Sequence, residues 1–242
     1  MNPLSLIGFL AFFVVALVVG IRLLLLWRRT RQLPELLMGI GVLGIGPIGF
    51  GAMTIGTVSM SNPPIANAAF AMGTVAVAVG VLAKCTFNWL VYRRESVIAK
   101  IVTCGVGMLL LVVLATQVLD GQWTPTTAMA WDSLSRSFVQ VGCLFWGSAE
   151  SLYYWSRLRR RMTLGLADSV IVNRFLMWGL GAGFAGLGTG IGVTAEIITG
   201  IPTLQIPWVV STSSAFGFAA AVSIYLAFVP PERYVRYVRD HA

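Results

Sequence analysis

Apolar runs long enough to cross a bilayer recur seven times along this chain, and the connections between them are alternately basic and free of Lys and Arg. A membrane span needs about 20 mostly apolar residues, and such runs are read at 4–26, 36–59, 66–92, 97–119, 131–155, 170–198 and 208–229. Of the 17 basic residues, all but Arg22, Lys84, Arg136 and Arg174 fall in connections 27–34, 93–100 and 156–169 or after Pro230. Connections 60–65, 120–130 and 199–207 carry none. Positive charge accumulates on the cytoplasmic side, which predicts an outside N-terminus and a cytoplasmic C-terminus. The expected fold is an all-α polytopic bundle of seven transmembrane helices over 1–229, followed by a cytoplasmic amphipathic tail over 230–242.

The +8 net charge then needs no nucleic acid. Basic residues beside the inner leaflet are drawn to anionic lipid, so membrane lipids are the expected partners, and the plasma (inner) membrane the expected location. The first apolar run has no basic residue ahead of it and no small-residue cleavage pattern after it, so it reads as a retained helix rather than a signal peptide. With short loops, the membrane domain is expected to be the whole protein. Cys85, Cys104 and Cys143 all fall within spans and read as small packing residues.

The inventory of reactive side chains argues against catalysis. His241, the sole histidine, is penultimate, so neither a metal-ligand set nor a Ser-His pair can be assembled. No CxxC, HExxH or GxxxxGK[ST] pattern occurs, and the spans lack haem-ligating histidines. The reading is non-enzymatic, with no cofactor and no metal.

Two halves of the chain resemble each other. Leu37-Met38-Gly39-Ile40-Gly41 matches Leu176-Met177-Trp178-Gly179-Leu180-Gly181, and each opens a run of closely spaced glycines. Each follows a basic turn beginning with Trp27 or Trp155, and each precedes an Ala-rich helix near Ala69-Phe70-Ala71 or Ala215-Phe216-Gly217. The offsets are 128, 140 and 146, which suggests two parallel three-helix copies joined by the fourth helix, a plan known among transporters. Gly179, Gly183, Gly186 and Gly190 form one helical seam suited to close packing. Pro47 is expected to kink the second helix.

Polar residues inside a span face the bundle interior by default. Asp132, Arg136, Gln140, Cys143, Gly147, Glu150 and Tyr154 recur every three or four residues, which puts them on one face of the fifth helix. The face is either a polar seam tying helices together or the wall of a ligand site or path; Arg136, Gln140 and Glu150 on it, with Lys84 and Asn88 of the third helix, Glu196 of the sixth, and Ser211 and Ser214 of the seventh, are the candidate ligand-binding or pathway residues. Lys84 lies about 12 Å along its helix from Tyr92, and Glu150 about 7 Å from Trp155. A lone charge at that depth is costly, so Lys84 is expected either to pair with Glu150 or to snorkel towards Tyr92 and Asn88. Arg22, Glu35, Asp168, Asn173 and Arg174 gather at the inner mouth. Glu35 and Asp168 suit helix starts, and bonded to Arg22 or Arg174 they would form a gate. Arg136 and Glu196 lie at comparable depth and are candidates to pair. After Pro230, Tyr234, Val235 and Val238 alternate with Arg233, Arg236 and Arg239, the pattern of a helix lying on the membrane surface.

In layout the chain resembles the seven-helix opsins and G-protein-coupled receptors, with its outside N-terminus and a surface helix after the seventh span. That resemblance implies a receptor-like protein holding a small or lipid-like ligand within the bundle and passing a signal to a cytoplasmic partner. The seventh span has no lysine for a retinal Schiff base, and DRY-like and NPxxY-like motifs are missing. The three-plus-one-plus-three plan is equally similar to small seven-helix sugar or vitamin facilitators. It implies a small-solute transporter, working as a homo-oligomer or with another membrane subunit. A purely accessory membrane subunit is the third reading.

Overall fold

The computed structural model describes residues 3–121, 123, 131–201 and 203–240; for 3–5, 132 and 204 it describes the backbone alone. His241, the Asp132 side chain and most of the 120–130 connection lie outside the described residues.

Everything regular among the described residues is helical. The helices are α1 (Pro3–Thr30), α2 (Leu33–Val58), α3 (Pro63–Tyr92), α4 (Val97–Asp120), α5 (Trp131–Met162), α6 (Ser169–Thr199), α7 (Pro207–Phe228) and α8 (Glu232–Asp240). Six of these are long and apolar enough to cross a membrane: α1 to α4, α6 and α7. At 32 residues, α5 reaches about 48 Å, but its polar stripe and the terminal Arg157-Leu158-Arg159-Arg160-Arg161 dilute its apolar character.

Local chemistry sets the helix ends. Ser96 accepts a hydrogen bond from the Ala99 amide at the start of α4, and Asp168 accepts one from Val170 at the start of α6, 3.3 and 2.7 Å long; each occupies a donor that would otherwise be orphaned. Proline opens α3 and α7, where its missing amide costs nothing. Gly121 and Gly200 close α4 and α6 at φ +65° and +66°, a conformation that a side chain disfavours. Pro47 does not break α2. The stretch Gly44–Phe50 around it is π-helical, and this wider turn absorbs the lost hydrogen bond. A second π-helical stretch, Asn88–Tyr92, ends α3.

Glycines set how closely the helices approach, because a missing side chain admits a neighbouring backbone. In α6, Gly179, Gly183, Gly186 and Gly190 lie against Leu152, Ser148, Leu144 and Val141 of α5, as the seam in the sequence predicts. On its other side Gly181 meets Ala220 and Ile224 of α7, and Gly188 meets Ser213 and Phe216. In α2, Gly39 and Gly46 meet Leu24 and Ala16 of α1, whereas Gly41 and Gly44 meet Gly80, Lys84 and Ala76 of α3. These contacts correspond in detail. A shift of 140 carries Gly39, Gly41 and Gly46 onto Gly179, Gly181 and Gly186, and Gly80 and Lys84 onto Ala220 and Ile224. A shift of 128 carries Leu24 and Ala16 onto Leu152 and Leu144. Between α3 and α7 the contacts thus give 140, not the 146 of the Ala-Phe match.

The helices close into a ring. Neighbours α1–α2, α2–α3, α5–α6 and α6–α7 pack extensively and α1 closes against α7, whereas α4 touches α3 and α5 only lightly. Much of α4 is exposed apolar surface, including Ile101, Met108, Leu111 and Leu119, as lipid contact requires. Two seams therefore hold the ring together. Where α1 meets α7, the seam is dense and apolar, with Gly8 against the Ser214 carbonyl and Val19, Ile224 and Phe228 in one core cluster. The seam where α3 meets α5 is sparser and mixed, an apolar cluster of Val77, Val81, Cys85 and Cys143 interleaved with hydrogen-bonded polar side chains.

Candidate functional site

Apart from Gln140, the described members of the α5 stripe meet α3 or Arg93 just beyond its end. Arg136 donates to Thr74 Oγ1 at 2.7 Å, and Asn88 Nδ2 donates to the Cys143 carbonyl at 3.3 Å. The Cys143 thiol reaches the Val81 carbonyl at 3.7 Å, and Tyr154 donates to the Tyr92 carbonyl at 3.5 Å. Gln140 is half-buried. Gly147 lets α3 side chains approach: a Cβ there would lie 3.2 Å from Asn88 Oδ1 and 3.4 Å from Lys84 Nζ. The adjacent flank of α5 is bonded to α6, with Ser148 donating to the Gly179 carbonyl and Ser151 to that of Phe175, at 2.7 and 3.0 Å. Because α6 fixes α5 in rotation, the polar stripe stays turned to α3.

Lys84 and Glu150 do not pair. Glu150 Oε1 accepts from Arg93 Nε at 2.7 Å and from Trp146 Nε1 at 3.3 Å. Arg93 follows the π-helical end of α3 directly, and its side chain is half exposed, so it reaches Glu150 from the surface at little desolvation cost. Lys84 lies at the level of Gly147, one turn away along α5. Its amine sits 4.0 Å from the centre of the Trp178 ring, a cation–π arrangement that partly replaces hydration. Snorkelling is also absent, since the Lys84 residue is only 2% exposed.

This leaves unserved polar atoms. Lys84 Nζ, Asn88 Oδ1, Glu150 Oε2 and Trp178 Nε1 are buried without a hydrogen-bond partner among the described residues. Each such atom costs about 1–3 kcal/mol, more if charged. Four in one neighbourhood is a heavy concentration for a packed interior.

The remaining candidates are dispersed. Glu196 accepts from the Thr203 amide at 2.7 Å instead of pairing with Arg136. Ser211 is exposed and bonds back to Pro207 O at 3.0 Å, and Ser214 packs against Gly8. The inner-mouth residues do not form one network. Glu35 accepts from Thr30, Asp168 caps α6, and Asn173 bonds Tyr234 of α8 at 2.9 Å, while Arg22 and Arg174 are exposed. Each short-range partner lies within reach before any cross-bundle arginine does. The Asn173 contact seats α8, whose Arg233, Arg236 and Arg239 are exposed, as the amphipathic pattern predicts. The void beside it is only about 10 Å³, room for roughly one water.

No family model, curated protein or solved structure matches the chain. The chemistry of the seam is therefore the guide to its use. Arg93, Thr74 and Trp178 complete it. Of these, Trp178 entered the sequence reading only within the repeat segment Leu176-Met177-Trp178-Gly179, and Arg93 was hidden in a basic connection.

Proposed function

We propose that this protein is a non-enzymatic integral membrane carrier of seven spans, counting α5, that binds a small ligand in the α3–α5 seam. Two three-helix repeats, α1–α3 and α5–α7, would be joined by α4, with the N-terminus outside and the arginine-bearing connections cytoplasmic. Support for the repeat comes from the matched glycine contacts, which survive a shift of 128 in the first helix of each half and 140 in the other two. The same shifts interchange the two seams of the ring: Arg136 and Thr74 correspond to Gly8 and Ser214.

One observation carries the reading. In the α1–α7 seam the positions corresponding to Lys84, Asn88 and Gly147 are Ile224, Phe228 and Val19, an apolar cluster. At these three positions one seam is apolar where the other places an amine, an amide and a glycine, while Glu150 corresponds to Arg22, which is exposed. Binding sites of repeat-built carriers lie at the repeat interface, and relative motion of the halves exposes them alternately. A sparse mixed seam opposite a dense apolar one suits that motion, with α1–α7 as hinge and α3–α5 as opening.

The test uses proteoliposomes and the swelling that follows gradients of polyols, amino acids and small carboxylates. At least one solute should enter faster than into protein-free vesicles. In a background lacking the three native cysteines, a short thiol crosslinker across Thr74→Cys and Arg136→Cys should stop entry, while the same reagent across Gly8→Cys and Ser214→Cys should not. Failure of every solute to enter faster than into empty vesicles overturns the carrier reading.

A further inference from the structure

The seam holds two buried, opposite charges that do not meet. Lys84 is 2% exposed and Glu150 7%; they stand on facing helices, and neither satisfies the other. Glu150 spends one oxygen, Oε1, on Arg93 and Trp146, and keeps Oε2 without a donor. Lys84 has an aromatic face beneath its amine but no acceptor. Asn88, fully buried, commits its amide nitrogen to Cys143 and leaves Oδ1 unused, and Trp178 leaves its indole N–H unused. Across these four residues the unserved atoms are two donors, one of them cationic, and two acceptors, one of them anionic; Trp89 Nε1, next to Asn88 on α3, is a further buried donor without a partner among the described residues.

We infer that the seam takes a small zwitterion, a molecule bearing a carboxylate and an ammonium group close together, as amino acids do. The inference deepens the carrier reading by naming a substrate class for its site. A carboxylate accepts from Lys84 Nζ and Trp178 Nε1, and an ammonium donates to Glu150 Oε2 and Asn88 Oδ1. Either charge alone serves one half of the set and leaves the other desolvated and unpaired, which is the arrangement that discriminates most strongly against the wrong ligand. Two of the four atoms meet over Gly147: a Cβ there would lie 3.2 Å from Asn88 Oδ1 and 3.4 Å from Lys84 Nζ. Arg93 on Oε1 holds the Glu150 carboxylate in place without consuming Oε2.

Purified protein in lipid nanodiscs is heated with an equimolar mixture of the common amino acids, with acetate, and with methylammonium, at constant ionic strength. A ligand that binds only the folded form raises the melting temperature. The amino-acid mixture should raise it by several degrees, acetate and methylammonium each by less. Lys84→Met should abolish the shifts with acetate and with amino acids. Glu150→Gln should abolish the shift with methylammonium. Gly147→Ala, which changes no charge but crowds Lys84 and Asn88, should weaken the amino-acid shift, and it serves as the test if a charge variant fails to fold. No shift with amino acids, equal shifts with all three probes, or an amino-acid shift that survives Lys84→Met overturns the inference. A shift without any solute entry into proteoliposomes leaves it standing and removes the carrier reading; solute entry with no amino-acid shift does the reverse.

Discussion

The Lys84 amine lies 4.0 Å from the centre of the Trp178 ring, on α6, across the bundle from its own helix. A desolvated cation over an indole gains about 2 kcal/mol. Trp178→Leu should therefore lower unfolding stability by more than the loss of ring packing alone, and Trp178→Phe should recover part of the difference. In a Lys84→Met background the two substitutions should differ less, which a double-mutant cycle in a denaturation titration will measure.

Among the described residues Lys84 has no counter-ion, so its removal has an unusual sign. Lys84→Met replaces a buried unpaired charge with an apolar chain of similar length and should leave stability unchanged or raise it, where breaking a buried pair would cost about 3–5 kcal/mol. Combining it with Glu150→Gln should produce no rescue. A restored double mutant in thermal unfolding would mean that Lys84 and Glu150 pair after all.

Arg93 is the partner that Glu150 does have, at 2.7 Å. Arg93→Ala leaves a buried carboxylate with only the Trp146 indole N–H on it and should destabilise by about 1–3 kcal/mol, the lower end reflecting the half-exposed guanidinium. Arg93→Ala with Glu150→Gln should recover most of that loss, as chemical denaturation can show.

Helix contacts through glycine differ sharply in tolerance. A Cβ on Gly44 would lie 2.6 Å from the Ala76 carbonyl and 2.9 Å from Gly80 Cα, whereas one on Gly105 or Gly142 would meet nothing within 4 Å. Gly44→Ala should cost about 1–3 kcal/mol by forcing α2 from α3. Gly105→Ala and Gly142→Ala should be neutral, or stabilising by about 0.5–1 kcal/mol through helix propensity. Melting temperatures of the three variants decide this.

Asp168 caps α6 through the Val170 amide. Asp168→Ala should lose about 1 kcal/mol and Asp168→Asn much less, readable as faster amide hydrogen exchange in the first turn of α6.

The helical layout was legible because the bilayer imposes it: apolar length and the placement of arginines mark where helices run and turn. The glycine seam of α6 and the α3-facing stripe of α5 were legible too, since helical periodicity alone places residues on a face. Partner choice was not. Periodicity puts Lys84 and Glu150 on helices that can face each other, and only the axial register of α3 against α5 selects Arg93 instead. Likewise Glu35 and Glu196 are taken by Thr30 and the Thr203 amide, local partners that depth along a helix does not reveal. Pro47 promised a kink, but the backbone can also accept a proline by widening a turn.

That widened turn makes α2 unusually dependent on its length. Each residue of a helix turns the chain by about 100°, so the π-helical stretch Gly44–Phe50 offsets the phase of everything beyond it. Upstream, Gly41 and Gly44 face α3; downstream, Gly56 still faces it, against the Phe70 ring. A single-residue deletion between Ile45 and Ile48 that restored regular winding would swing Gly56 a quarter-turn or so away from Phe70 and present a bulkier neighbour to α3. Half of this helix is thereby keyed to the other by one extra residue, and insertions or deletions within it are not interchangeable with substitutions.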